Sequence, residues 1–204
     1  MMAMQTSRRL PVILFAAALV VPCAVRMTAS PATAWTAAQP GRDIWIAKAP
    51  KGNFQPLKDP NGLFTMEIPR RDWSIVPGAG VVVASVVNKK GDAAIVVEQA
   101  ALKQALAPDD ITDLFADLER ELIVERQPKA ADFQTRVLED GGRKLVAVQF
   151  VRPGMTGMER VRQFSIPAGR RLYRVSCVAS LGSYAANEIW FAHAVATFVT
   201  TATE

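Results

Sequence analysis

Apolar and polar positions along this chain fall into short β-type runs parted by Gly and Pro turns, with two stretches of helical spacing set among them. Pro60-Asn61-Gly62 is the first clear turn signal. Leu63 to Ile68 then reads as a strand stopped by Pro69, and Trp73 to Val76 as a short extended piece before Pro77-Gly78. Val81 to Val87 is an almost continuous β-branched run, which predicts a strand buried on both faces. Asn88 to Asp92 is a polar turn and Ala93 to Glu98 the returning strand of a hairpin. After Pro108 the period changes. Asp109 is placed to cap a helix, and Asp110 and Asp113 lie near its positive end. Ile111, Leu114, Phe115, Leu118 and Leu122 share one helical face, which predicts that they face the core with Asp117, Arg120 and Glu121 outside. Pro128 ends this pattern.

Four strands follow: Phe133 to Glu139, Arg143 to Val151, Glu159 to Ile166 and Arg171 to Ser180. Their links are short and rich in Gly and Pro, so neighbours pair antiparallel. A second helix runs from about Ser183 to Val199, with Phe191, Val195 and Phe198 on one face. The expected class is α+β: an antiparallel meander whose apolar faces are covered by helices.

The residues upstream of this domain read differently. Arg8 and Arg9 precede an uncharged run from Leu10 to Val25, and a small-residue stretch ends in Ala32-Thr33-Ala34. These are the parts of a secretory signal, so residues 1–34 are read as an export signal cleaved near Ala34. Ser7-Arg8-Arg9-Leu10 is similar to a twin-arginine signal. Pro11 and Pro22 interrupt the run, which is shorter than the roughly 20 residues of a spanning helix. Residues 35–59 carry Pro40, Pro50 and Pro56 and read as an extended, weakly ordered lead-in, in which Asp43 to Ile46 could dock as an edge piece. The compact domain is assigned to 60–204.

Composition matters once the signal is set aside. The full chain of 204 residues carries 24 Lys and Arg against 19 Asp and Glu, a net of +5. Cleavage removes Arg8, Arg9 and Arg26 and no acid, leaving 21 against 19 and a net of +2. The argument for nucleic acid as a partner goes with it. Cys23 leaves as well, so Cys177 has no partner for an internal disulfide.

The pattern resembles the PsbP-like superfamily of extracytoplasmic proteins. Gly62-Leu63-Phe64-Thr65-Met66-Glu67-Ile68-Pro69 followed by Trp73 is similar to that family's opening strand. Gly169-Arg170-Arg171-Leu172-Tyr173, then Trp190-Phe191 and Thr197-Phe198, are similar to its last strand and closing helix. The resemblance spans about residues 60–200. It implies an αβα sandwich without a universal active site, in proteins that act as assembly or accessory subunits, binding proteins and chaperones.

The chemistry in the sequence is sparse. His193 is the one histidine, so a multi-histidine metal site within the chain is excluded. The sequence holds no H-E-x-x-H, C-x-x-C, P-loop, EF-hand loop or G-x-S-x-G motif. A thiol dyad could be built only from Cys177 and His193, and alternation places Cys177 inward with Tyr173, Val175 and Ala179. No catalytic residue, cofactor or metal is assigned. Arg160, Arg162, Arg170, Arg171 and Arg174 cluster on the last hairpin and are the candidate partner-binding residues. A turn at Ala168-Gly169 would set residue 163 opposite 174 and send Arg162 and Arg174 to opposite faces. Otherwise the set reads as solvated, edge-protecting charge.

The expected function is that of an exported, periplasmic or extracellular, non-enzymatic accessory protein. It would act on a protein partner in the cell envelope, compatibly with peripheral membrane association. A binder of small molecules, lipids or metal ions is the alternative. A hydrolase using Cys177 and His193 comes third.

Overall fold

The computed structural model describes residues 44–49 and 51–201. The expected export signal, its cleavage site and the start of the lead-in lie outside the described residues.

The first described strand, β1 (Phe54–Lys58), pairs antiparallel with β2 (Phe64–Pro69). β3 (Trp73–Pro77), β4 (Val82–Asn88) and β5 (Ala93–Ala101) follow as a meander. Then come helix α1 (Asp113–Arg126) and the strands β6 (Ala131–Asp140), β7 (Arg143–Pro153), β8 (Met158–Ala168) and β9 (Arg171–Ser180). Helix α2 (Tyr184–Ala196) and a short β10 (Val199–Thr200) close the chain. Seven strands form one antiparallel sheet in the order β3-β4-β5-β9-β8-β7-β6, and β1-β2-β10 form a second, smaller sheet. The expected four-strand meander is therefore present as β6 to β9.

The β6–β7 link shows how local sequence sets register. Asp140 pairs with Arg143, leaving Gly141 and Gly142 as a two-residue loop. Both have positive φ, at 60° and 81°. A tight hairpin of this kind needs that conformation twice, and glycine adopts it without a Cβ clash.

The large sheet is covered on both faces. One face carries the main core: Ile95, Val97, Leu145, Phe164, Tyr173, Val175 and Cys177 meet Phe191 and Val195 of α2 and Phe64, Met66 and Ile68 of the small sheet. The other carries a smaller core, in which Val146, Val148, Phe150 and Val161 meet Ile111, Ala116 and Ile123 from and just before α1. The protein is an α+β sandwich with an antiparallel sheet in the middle.

Four expectations are corrected. First, part of the lead-in is built into the fold: residues 54–58 form β1, and Trp45 is buried in the main core. Trp45 belongs to no strand; the backbone of 44–49 straps over α2 instead, with the Ala47 N–H donating to the Ala192 carbonyl (3.4 Å). Second, β4 is not buried on both faces. Only Ala84 and Val86 are buried, because α1 packs over β6 and β7 and leaves β4 half-covered. Third, α1 starts after a 3-10 turn at Pro108–Asp110, with Thr112 and not Asp109 at its N-cap. Fourth, α1 is rotated relative to its leucines. Ala116, Glu119 and Ile123 are buried, while Leu114 and Leu118 are 70% and 50% exposed. Glu119 thus turns inward among acidic neighbours that stay outside.

A candidate functional site on the main-core face

The observed hairpin register places Arg162 opposite Cys177 and Arg174 opposite Ser165. This is two residues away from the expected pairing. A slip of two preserves which face each side chain takes, so Arg162 and Arg174 do point to opposite faces. The expectation of solvated charge fails for both, since each is buried.

On the α1 face, Arg174 meets Glu119 through two bonds. Its Nε donates to Oε2 (2.8 Å) and its Nη2 to Oε1 (2.7 Å), and Ser165 Oγ donates to the same Oε2 (2.5 Å). This is a two-pronged guanidinium–carboxylate pair in a dry setting. The hydrogen bonds to Glu119 outweigh burial and push the Arg174 guanidinium above its already high ordinary range. The charge is neutralised within the fold, and the pair acts as a staple between α1 and β9.

On the main-core face, Arg162 is 2% exposed and has a different environment. Its Nε and Nη2 both donate to Gln149 Oε1 (3.1 and 2.7 Å), and its Nη1 donates to the Ile44 carbonyl (2.6 Å). Nη2 also lies 3.0 Å from Glu188 Oε1 on α2. The guanidinium carbon sits 4.2 Å from the centre of the Trp45 ring and 5.6 Å from that of Tyr184. Arg136 lies 4.9 Å from the same Trp45 ring, and Arg160 lies 5.4 Å from the same Tyr184 ring. The result is a ladder in which cations and π-faces alternate: Arg136, Trp45, Arg162, Tyr184, Arg160. Ring quadrupoles attract such cations, more strongly where water is excluded.

The ladder holds three guanidinium groups, of which Arg162 pairs with Glu188. It also holds three buried polar atoms without a hydrogen-bond partner: Trp45 Nε1, Arg160 Nε and Tyr184 Oη. Two of them are N–H donors. Burial pushes the Tyr184 hydroxyl well above its ordinary range, with the Arg162 charge opposing the shift, so it too carries its proton. Beside the ladder a polar cavity of about 430 Å³ is lined by Asp132, Phe133, Gln134, Gln149, Val151 and Arg160.

The remaining arginines of the candidate cluster lie apart from this group. Arg170 is exposed and its Nη2 donates to the Lys103 carbonyl (2.5 Å). Arg171 is half-buried at the start of β9, close enough to Tyr173 to act on its hydroxyl. The structure therefore joins Arg160 and Arg162 and separates the other three. Sequence reading missed Arg136, Trp45 and Tyr184 as their companions. The short apolar piece Ile44-Trp45-Ile46 amid prolines was the available signal for Trp45.

Cys177 and His193 are not a dyad. Cys177 is fully buried, and burial pushes its thiol up to about 12 despite the opposing Arg162 charge; a reactive thiol needs the opposite shift. His193 Nδ1 accepts from the Ala49 N–H (3.0 Å), which leaves Nε2 to carry the proton and donate to Glu67 Oε2 (2.9 Å). Its ring stacks on Phe54 at 3.8 Å. The histidine secures the strap and the small sheet.

No family model matches the sequence, and no curated protein does. Solved structures do. The cyanobacterial PsbP protein CyanoP from Synechocystis sp. PCC 6803 superposes with a TM-score of 0.56 at 10% identity, covering 76% of this chain and 97% of that one. The chain has a PsbP-like fold. Weaker likenesses of shape reach the Saccharomyces cerevisiae Ran-binding protein Mog1p (TM-score 0.45, 13% identity, 74% of this chain and 96% of that one). They also reach LpqN, involved in cell envelope biogenesis of Mycobacterium tuberculosis (0.45, 16%, 67% and 87%). Within the PsbP-like fold, the residues that carried the resemblance are mainly structural. Phe64, Trp73, Tyr173, Phe191 and Phe198 are all core side chains. The cation–aromatic ladder draws on none of them.

Proposed function

We propose that this protein is an exported accessory protein of the cell envelope that works by binding a protein partner, in assembly or as a chaperone, and not by catalysis. The signal-like N-terminus supports export. The PsbP-like fold and the burial of Cys177 and His193 in structural roles support binding over thiol chemistry.

The observation that carries the reading lies at one end of the large sheet. There the β7–β8 turn presents Met155, 84% exposed, and β8 opens with exposed Met158. Leu181, also exposed, donates its N–H to the Met158 carbonyl (3.2 Å). Next to them an open groove of about 820 Å³ runs between the end of α1 and this turn, lined by Arg126, Lys129, Arg152, Met155 and Glu159 among others. Unbranched methionines adapt to varied partner surfaces, and basic residues along the rim favour an acidic one.

The test is capture from envelope extract of the producing organism, using the wild-type chain and a Met155→Asp, Met158→Asp double variant. The expected result is a reproducible partner whose recovery falls at least tenfold, roughly 1.4 kcal/mol, with the variant, while circular dichroism shows an unchanged fold. Repeated capture without a specific partner, or recovery indifferent to the substitutions, would overturn it.

A further inference from the structure

The polar cavity at the Arg160 end of the ladder is independent of the methionine end as a binding feature. It is lined by opposite charges, Asp132 and Arg160, with the carboxamides of Gln134 and Gln149 beside them. Among the described residues no ion pair joins the two charges. Its volume of about 430 Å³ lies within the roughly 300–1,000 Å³ usual for small-molecule clefts.

Each wall has a reason to be where it is. Asp132 has φ +56°, in the left-handed region, and sits where the β6–β7 register shifts between Ala131 and Gln134. A bulge of this kind re-aims side chains at a sheet edge, and it recurs beside binding sites. On the opposite side Arg160 lies over the Tyr184 ring, with its buried Nε unpartnered. Gln149 holds Arg162 through its Oε1, so its Nε2 is the end left for other partners; its contact with Gln134 Oε1 is long, at 3.5 Å. A buried donor without a partner forfeits its hydration and gains nothing in return. A ligand that satisfied Arg160 would recover part of that.

The charges select the ligand. A simple anion would suit Arg160 but meet Asp132. A simple cation would suit Asp132 but meet the Arg160 guanidinium in the same lining. From this juxtaposition we infer that the cavity binds a small zwitterion of the amino-acid or short-peptide class, its carboxylate on Arg160 and its ammonium on Asp132. The two carboxamides would take the remaining polar groups. This inference goes beyond the partner-binding reading and does not rest on it, so the methionine double variant should bind such a ligand unchanged.

The experiment is titration of the full ¹⁵N-labelled chain, followed by NMR at the Arg160 Nε–H and at the Gln134 and Gln149 side-chain amides. The probes are L-alanine, L-alanyl-L-alanine, acetate and ethylammonium. The expected result is a saturable shift at Arg160 with one of the two zwitterions, and binding at least about tenfold weaker for acetate and ethylammonium. Arg160→Gln and Asp132→Asn should each weaken zwitterion binding by about tenfold or more. Gln134→Ala, at an exposed position, provides a milder variant should Arg160→Gln perturb the fold; a several-fold loss is expected there. No shift with either zwitterion up to ~10 mM, which corresponds to less than about 3 kcal/mol of binding, would overturn the inference. So would tighter binding in Asp132→Asn, the behaviour of a plain anion site.

Discussion

Arg162 and Arg174 stand on neighbouring strands of one hairpin, are both buried, and have been given opposite solutions to the same problem. A guanidinium taken out of water must recover several kcal/mol of lost hydration. Arg174 recovers it from a two-pronged carboxylate, Glu119, with Ser165 on the same oxygen. Arg162 recovers it from a carboxamide, a main-chain carbonyl, two aromatic faces and a single contact with the Glu188 carboxylate among the described residues. The first solution matches charge with charge, and so holds the fold together. The second runs through a ladder that also carries unpartnered donors, Trp45 Nε1 and Arg160 Nε, and that is where binding chemistry can begin.

That contrast can be broken at several points. The largest effect is expected from Glu119→Ala, which strands the Arg174 charge in the α1-face core. Stability should fall by about 3–5 kcal/mol in urea denaturation. Replacing the pair together, as Glu119→Leu with Arg174→Met, should restore most of that loss, because apolar groups of similar volume need no partner. A loss under about 1 kcal/mol for the single variant would mean the pair is not the staple described.

Trp45→Ala comes next. It removes a buried indole and the ring shared by Arg136 and Arg162, and should cost about 3 kcal/mol by the same measurement. Trp45→Phe keeps a π-face and should recover more than half of it. An equal loss in both variants would indicate that volume alone matters and that the stacking contributes nothing.

A smaller effect concerns pH. Burial lifts the Cys177 thiol from an ordinary 9.0 to about 12. Between those values the folded chain keeps a proton that the unfolded chain releases. Stability from this group is therefore complete below about pH 9 and is lost as pH rises toward 12, at up to about 1.4 kcal/mol per pH unit. Burial raises Tyr184 and Tyr173 as well, in the same sense. Cys177→Ala should make the alkaline decline shallower. An unchanged slope in that variant would show that the tyrosines carry the effect.

The smallest effect is expected at Leu118. Leu118→Ser should change stability by no more than about 0.5 kcal/mol, whereas Ile123→Ser, on the buried face of the same helix, should cost several times more. Equal costs would place the helix in the orientation that its leucines suggested.

That helix also shows where sequence reading reached its limit. Leu114, Leu118 and Leu122 have the spacing of a core face, and nothing local to α1 marks Glu119 as its centre. The deciding partner is Arg174, 55 residues further on. The same holds for the ladder. Arg160 and Arg162 were legible as a cationic pair on a hairpin, but Trp45 lies more than a hundred residues away, in a segment whose prolines argued for loose structure. By contrast, the four-strand meander and the opposite facing of Arg162 and Arg174 follow from alternation and short turns, and survived a two-residue error in register.

What the sequence determined by itself was local: the strands β2 to β9, the two helices, the tight turn at Gly141-Gly142, the inward place of Cys177 and the α+β class. These rest on period, turn chemistry and side-chain alternation, which act over a few residues. Only the tertiary structure decided which face of α1 is buried, where the segment around Trp45 docks, and which arginine meets a two-pronged carboxylate and which lie against aromatic faces. A buried charge is governed by the partners that replace its water, and the chain brings those partners together only when it folds.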